Sequence, residues 1–121
     1  MSVDANAQQF IHSLIQSERN REPSDLIELF ADDAILESTA DSQSYRGKNG
    51  ARRFWCEYLA SFDRIESLLQ NSHEFGDIAV LEWEKHGVLP SGQSIDYCGV
   101  SIVEFDKMKI KRFVSYDRPA A

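Results

Sequence analysis

The chain lacks most of what marks a specialised binding surface. It carries 13 lysines and arginines against 20 aspartates and glutamates, for a formal net charge of −7. A nucleic-acid groove needs clustered cations to displace condensed counterions, and an anionic membrane surface makes the same demand, so neither partner is expected. The short basic pieces, Arg52-Arg53 and the run from Lys107 to Arg112, read as solvated faces. Only two cysteines occur, Cys56 and Cys98, without CxxC spacing. The expectation is two buried, reduced thiols in a cytoplasmic protein. No apolar run approaches the roughly 18 residues of a membrane span, and the opening MSVDANAQQF has no basic segment followed by an apolar one, so no secretory signal is read there. The three histidines form no HxH or HExxH pattern, and no EF-hand loop occurs. Gly47-Lys-Asn-Gly50 has neither dinucleotide nor phosphate-loop spacing. No metal and no cofactor are expected.

What is present suits one α+β domain over residues 1–121, with 42% hydrophobic residues and a core that needs no disulfide or metal staple. Phe10, Ile11, Leu14 and Ile15 place an apolar stripe on a helix over 4–18. Pro23 suits the first turn of a second helix that buries Leu26, Ile27, Leu29 and Phe30. Residues 34–39 alternate as a short strand, 40–46 read as a polar loop, and 47–60 form a third helix with Phe54, Trp55, Tyr58 and Leu59 on one face. The period then changes from helical to two. Strands are expected at 63–74, 78–88, 93–105 and 109–117, joined by Gly-, Pro- or Asp-bearing turns and therefore antiparallel. Gly99, in mid-strand, reads as a bulge or bend. Long strands coil, so helices lying across their concave side leave a hollow.

Several segments carry a family resemblance: LFADDA at 29–34, Arg46-Gly47 leading into Phe54-Trp55, AVLEW at 79–83, and Lys109-Ile110 with Tyr116-Asp117 at the end. In order and spacing the chain resembles the nuclear transport factor 2-like superfamily, in its SnoaL-like and ketosteroid-isomerase-like branch. The resemblance implies a cone-shaped, cystatin-like fold, with three N-terminal helices on the concave face of a curved, mainly antiparallel sheet. It also implies a pocket for a small apolar molecule and a homodimer formed through the outer sheet face. Alternation over 78–86 and 94–105 agrees, because both faces carry apolar residues and both need cover.

Ketosteroid isomerases use a Tyr on the first helix, an Asp base ending the first strand and a neutral Asp in mid-sheet. Alignment through LFADDA puts Leu14, Ser38 and Ser101 at those places. None can do that work, since a serine is too weak a base for a carbon-bound proton and leucine donates nothing to an oxyanion. The Asp-Arg-Asp set of the limonene epoxide hydrolases is also incomplete: Tyr116-Asp117 resembles its acidic end, but Trp83-Glu84-Lys85 stands where an Arg-x-Asp pair belongs.

Asp117 is the candidate acid/base, because a carboxyl at an apolar pocket mouth holds its proton to higher pH. Tyr97 and Ser101 could orient a carbonyl. Lys85 could reach the rim or meet an anionic ligand. His73 is a weaker inward candidate, while His86 and His12 are expected in solvent. Phe54, Trp55, Tyr58, Trp83, Tyr97 and Phe113 would supply an apolar wall. Two readings follow. One is a non-catalytic cone that binds a small molecule or a partner protein. The other is a SnoaL-like isomerase, cyclase or hydrolase that uses Asp117 on a small apolar carbonyl, polyketide-like or epoxide compound. The missing isomerase residues favour the first. Burial of the Asp117 carboxylate near Tyr97 or Ser101 would favour the second.

Overall fold

Helix α1 (Val3–Asn20) turns Phe10, Ile11 and Leu14 into the core and leaves His12 in solvent, as its stripe requires. The computed structural model describes residues 3–39 and 41–119. Pro23 precedes α2 (Ser24–Glu28), a helix of little more than one turn that buries Leu26 and Ile27.

The next stretch departs from expectation. The first strand, β1 (Phe30–Ser38), begins earlier than its alternation implies. The segment read as a polar loop holds a second strand, β2 (Asp41–Arg46), paired antiparallel with β1. β2 is an edge strand with polar side chains, so no apolar alternation marks it; Tyr45 is its buried anchor. Gly47 then turns the chain into α3 (Gly47–Ala60) with a φ of 72°, and a β carbon there would stand 3.0 Å from the Asp32 carbonyl oxygen. The three helices are therefore not consecutive. A hairpin separates the third from the first two.

The meander follows as β3 (Arg64–Phe75), β4 (Ile78–Val88), β5 (Ser94–Asp106) and β6 (Lys109–Pro119). Among the described residues six strands form one sheet in the order β2-β1-β6-β5-β4-β3, antiparallel except for the β1–β6 pair. α1 lies across β3, β4 and β5, and α3 lies across β1 and β2, so helices cover one face. Ala79, Leu81 and Trp83 of β4, with Val103 and Phe105 of β5, point to that side and are buried. Phe10, Phe30, Phe54, Trp55 and Phe113 join them there, for example with Phe54 and Trp55 edge-on at 4.9 Å between centroids.

Two irregularities set which side chains face inward. Pairing skips Gln70 in β3 and Lys111 in β6, leaving one extra residue in each strand. Beyond the first bulge His73 sits opposite Val80, on the outer face, and its Nε2 lies 2.7 Å from Glu82 Oε2. The inward placement considered for it is thereby corrected. Beyond the second, Ile110 and Phe113 are both buried although three residues apart. Gly99, by contrast, lies in unbroken ladders on both sides and marks no bulge. The cysteines also differ from expectation. Cys56 is exposed on the outer side of α3, Cys98 takes the outward phase of β5 and is half-buried, and both are free. No helix of the described residues is long and apolar enough to cross a membrane.

Candidate functional site

Where the end of α3 meets the ends of β1, β5 and β6, the rings of Tyr45, Phe54, Tyr58, Phe62 and Tyr97 surround a hollow of about 510 Å³. A smaller chamber of about 50 Å³ lies further in. The two share Ser38, Phe54, Tyr58 and Asp117 in their walls and form one recess with an aromatic mouth and a polar interior.

The sequence candidates divide between these spaces. Tyr97 borders the outer hollow, its ring stacked on Phe62 at 6.2 Å with planes 10° apart. Leu14, Lys85, Ser101 and Phe113 border the inner chamber. Leu14, Ser38 and Ser101, the positions matched to the isomerase set, thus converge on one space with no titrating side chain among them. Trp83 belongs to neither wall, because its indole N–H donates to Ser101 Oγ at 3.1 Å and its ring is packed in the core.

Lys85 corrects another expectation. It does not run out to a rim but is buried, donating through Nζ to the Tyr58 hydroxyl at 2.8 Å, with Nζ 3.8 Å from Glu18 Oε2. Nζ also lies over the Tyr58 and Trp83 rings, 4.9 and 5.5 Å from their centroids. Glu18 is the residue that sequence reasoning missed. It is buried and accepts from the Tyr58 hydroxyl at 2.6 Å, from Ser67 N–H at 3.0 Å and from Ser67 Oγ at 2.7 Å. A signal existed: Glu18 stands four residues after Leu14, on the apolar stripe of α1, where a charge needs a buried partner.

Asp117 reaches both spaces. The residue is exposed on one side, and its carboxyl accepts a long hydrogen bond from Ser115 Oγ at 3.3 Å. No hydrogen bond links it to Tyr97 or Ser101 among the contacts described. Opposite it in the ladder is Gly99, where a β carbon would stand 2.7 Å from Asp117 Oδ1 and 3.7 Å from Lys85 Cε. That glycine clears the space into which the carboxylate folds.

Burial pushes the Asp117 carboxyl above its ordinary range, while the Lys85 charge and the Ser115 hydrogen bond pull it back. Burial lowers Lys85, opposed by the charges of Glu18 and Asp117. Burial raises both phenols, with Glu18 adding to the effect at Tyr58 and Asp117 at Tyr97. Among the described residues no group of three or more His, Cys, Asp or Glu side chains could hold a metal ion.

A family model described as a SnoaL-like domain matches residues 8–113. The chain belongs to the SnoaL-like domain family. No curated protein matches it in sequence. Its SnoaL-like fold recurs in a nuclear transport factor 2-like protein from Anabaena variabilis ATCC 29413 (TM-score 0.88, 17% identity, 96% of this chain and 89% of that one). It recurs also in a putative SnoaL-like polyketide cyclase from Jannaschia sp. CCS1 (TM-score 0.78, 18% identity, 93% and 85%). A third neighbour is TerC, co-crystallised with polyporic acid (TM-score 0.77, 14% identity, 95% and 91%). At these identities the likeness is one of fold.

Proposed function

We propose that this SnoaL-like domain binds a small, largely apolar, ring-bearing molecule in its recess. The observation that carries the reading is the outer hollow of about 510 Å³ walled by five aromatic rings. A space of that size and lining matches the range of roughly 300–1,000 Å³ in which small ligands are held. The co-crystallisation of TerC with polyporic acid is in keeping with a small-molecule occupant.

Naphthalene is a suitable probe, with emission from Trp55, which borders the inner chamber, as the signal. A saturable change is expected in the protein as it stands. Ser61→Trp, which fills the outer hollow from the end of α3, is expected to abolish it. A response that never saturates, or one indifferent to Ser61→Trp, would refute the proposal.

A second reading, acid/base catalysis by Asp117, draws on the carboxyl's seat over Gly99 and its raised pKa. The functional unit on either reading is a homodimer joined through the outer sheet face. That face carries half-buried Val80, Val100 and Ile102 with exposed Leu68 and Tyr116, more apolar surface than solvent alone favours.

A further inference from the structure

Two groups of opposite charge line the inner chamber, and a purely apolar occupant would give neither a task. Lys85 is 7% exposed. An ammonium carries three N–H groups; Tyr58 takes one, and Glu18 at 3.8 Å lies beyond hydrogen-bond reach. The remaining N–H groups have no acceptor among the described residues, in a place where an unmade hydrogen bond is costly. Across Gly99, the Asp117 carboxylate accepts, among the described residues, only from Ser115 Oγ, at 3.3 and 3.5 Å from its two oxygens, which leaves lone pairs for a ligand. Ser101 accepts from Trp83, and its own hydroxyl hydrogen has no acceptor among the described residues.

We propose that Lys85 and Asp117 jointly bind the oxygen of a neutral hydroxyl head group, a phenol or an enol, carried on the apolar body held by the outer hollow. This rests on the binding reading above and names the ligand class for the same recess. The hydroxyl donates to Asp117 and accepts from Lys85. A carboxylate head would face Asp117, an ammonium head would face Lys85, and a hydrocarbon would leave the spare N–H groups unpaired. The mixed pair therefore selects a group that is donor and acceptor at once. A chamber of about 50 Å³ takes one oxygen and its near neighbours and excludes a second ring.

Glu18 and Tyr58 are positioning residues in this arrangement. The Tyr58 hydrogen is committed to Glu18 at 2.6 Å, so its oxygen turns to Lys85. Glu18 is itself pinned by Ser67. The charge of Glu18 raises the Lys85 pKa against the lowering that burial imposes.

The test compares three probes of one shape, 2-naphthol, naphthalene and 2-naphthoate, by calorimetric titration at neutral pH. In the unaltered protein 2-naphthol is expected to bind roughly tenfold more tightly than naphthalene, the worth of a hydrogen bond to a charged group. Lys85→Met should erase that preference by weakening 2-naphthol alone. Asp117→Asn should admit 2-naphthoate, which the unaltered protein rejects, and this arm decides the matter if Lys85→Met does not fold. Equal binding of 2-naphthol and naphthalene would overturn the proposal while leaving the pocket reading intact; binding of neither would strike the pocket reading itself. Glu18→Gln should move the loss of 2-naphthol preference to lower pH, since Lys85 without its counter-ion gives up its proton sooner. An unchanged profile would remove Glu18 from the account.

Discussion

Replacing Glu18 by alanine tests the polar interior of the fold most directly. The side chain accepts three hydrogen bonds, from Tyr58 and twice from Ser67, and stands 3.8 Å from the Lys85 ammonium. Its loss leaves a buried cation without its partner, a change that costs about 3–5 kcal/mol. The Ser67 N–H, also buried, then lacks an acceptor and adds about 1–3 kcal/mol. The expected loss is about 4–8 kcal/mol, a large part of the roughly 5–15 kcal/mol by which domains are stable. Urea unfolding followed by the emission of Trp55 and Trp83 would measure it as a fall in midpoint at constant slope. Glu18→Leu combined with Lys85→Met removes both charges and should recover at least about 2 kcal/mol relative to the sum of the single losses. A cost below about 1 kcal/mol for Glu18→Ala, or strict additivity in the double variant, would refute the idea that this pair is a coupled buried unit.

Other expectations are simpler to state. Gly99→Ala should preserve the fold but expel the Asp117 carboxylate, since the new β carbon would stand 2.7 Å from Oδ1; NMR titration should then find the Asp117 pKa lowered toward 3.8, its ordinary value. Because the folded-state pKa of Asp117 is raised, the native protein binds more protons there than the unfolded chain, and the residue's contribution to stability falls as pH rises through that value. Asp117→Asn should therefore melt at a higher temperature than the unaltered protein at neutral pH, and the gap should close below the ordinary carboxylate range. Val100→Glu, on the outer sheet face, should convert the proposed dimer to monomer in sedimentation at micromolar concentration; unaltered protein that already sediments as a monomer would refute the dimer.

Much of this architecture could be read from residue order. Alternation in β4 and β5 identifies their inward residues, and the stripe on α1 and the aromatic face of α3 locate the helices that cover them. Ser38, Phe54, Tyr58 and Asp117 were candidates from sequence and line both parts of the recess. Three features were hidden for definite reasons. β2 is polar and at an edge, so Tyr45 alone hints at it. The bulges at Gln70 and Lys111 reverse a period of two without any special residue to mark them. The path of Lys85 depends on Glu18, more than sixty residues away in the chain, and only folding brings them together.

The extra residue at Lys111 has a reach beyond its own turn of backbone. Because strand side chains alternate, the step inserted there decides whether Asp117 or Tyr116 looks into the recess. Were Lys111 taken into the ladder opposite Glu104, with the β5–β6 turn held in place, Tyr116 would come opposite Gly99 and the acid would swing outward, rewriting the chemistry of the chamber without changing a single residue.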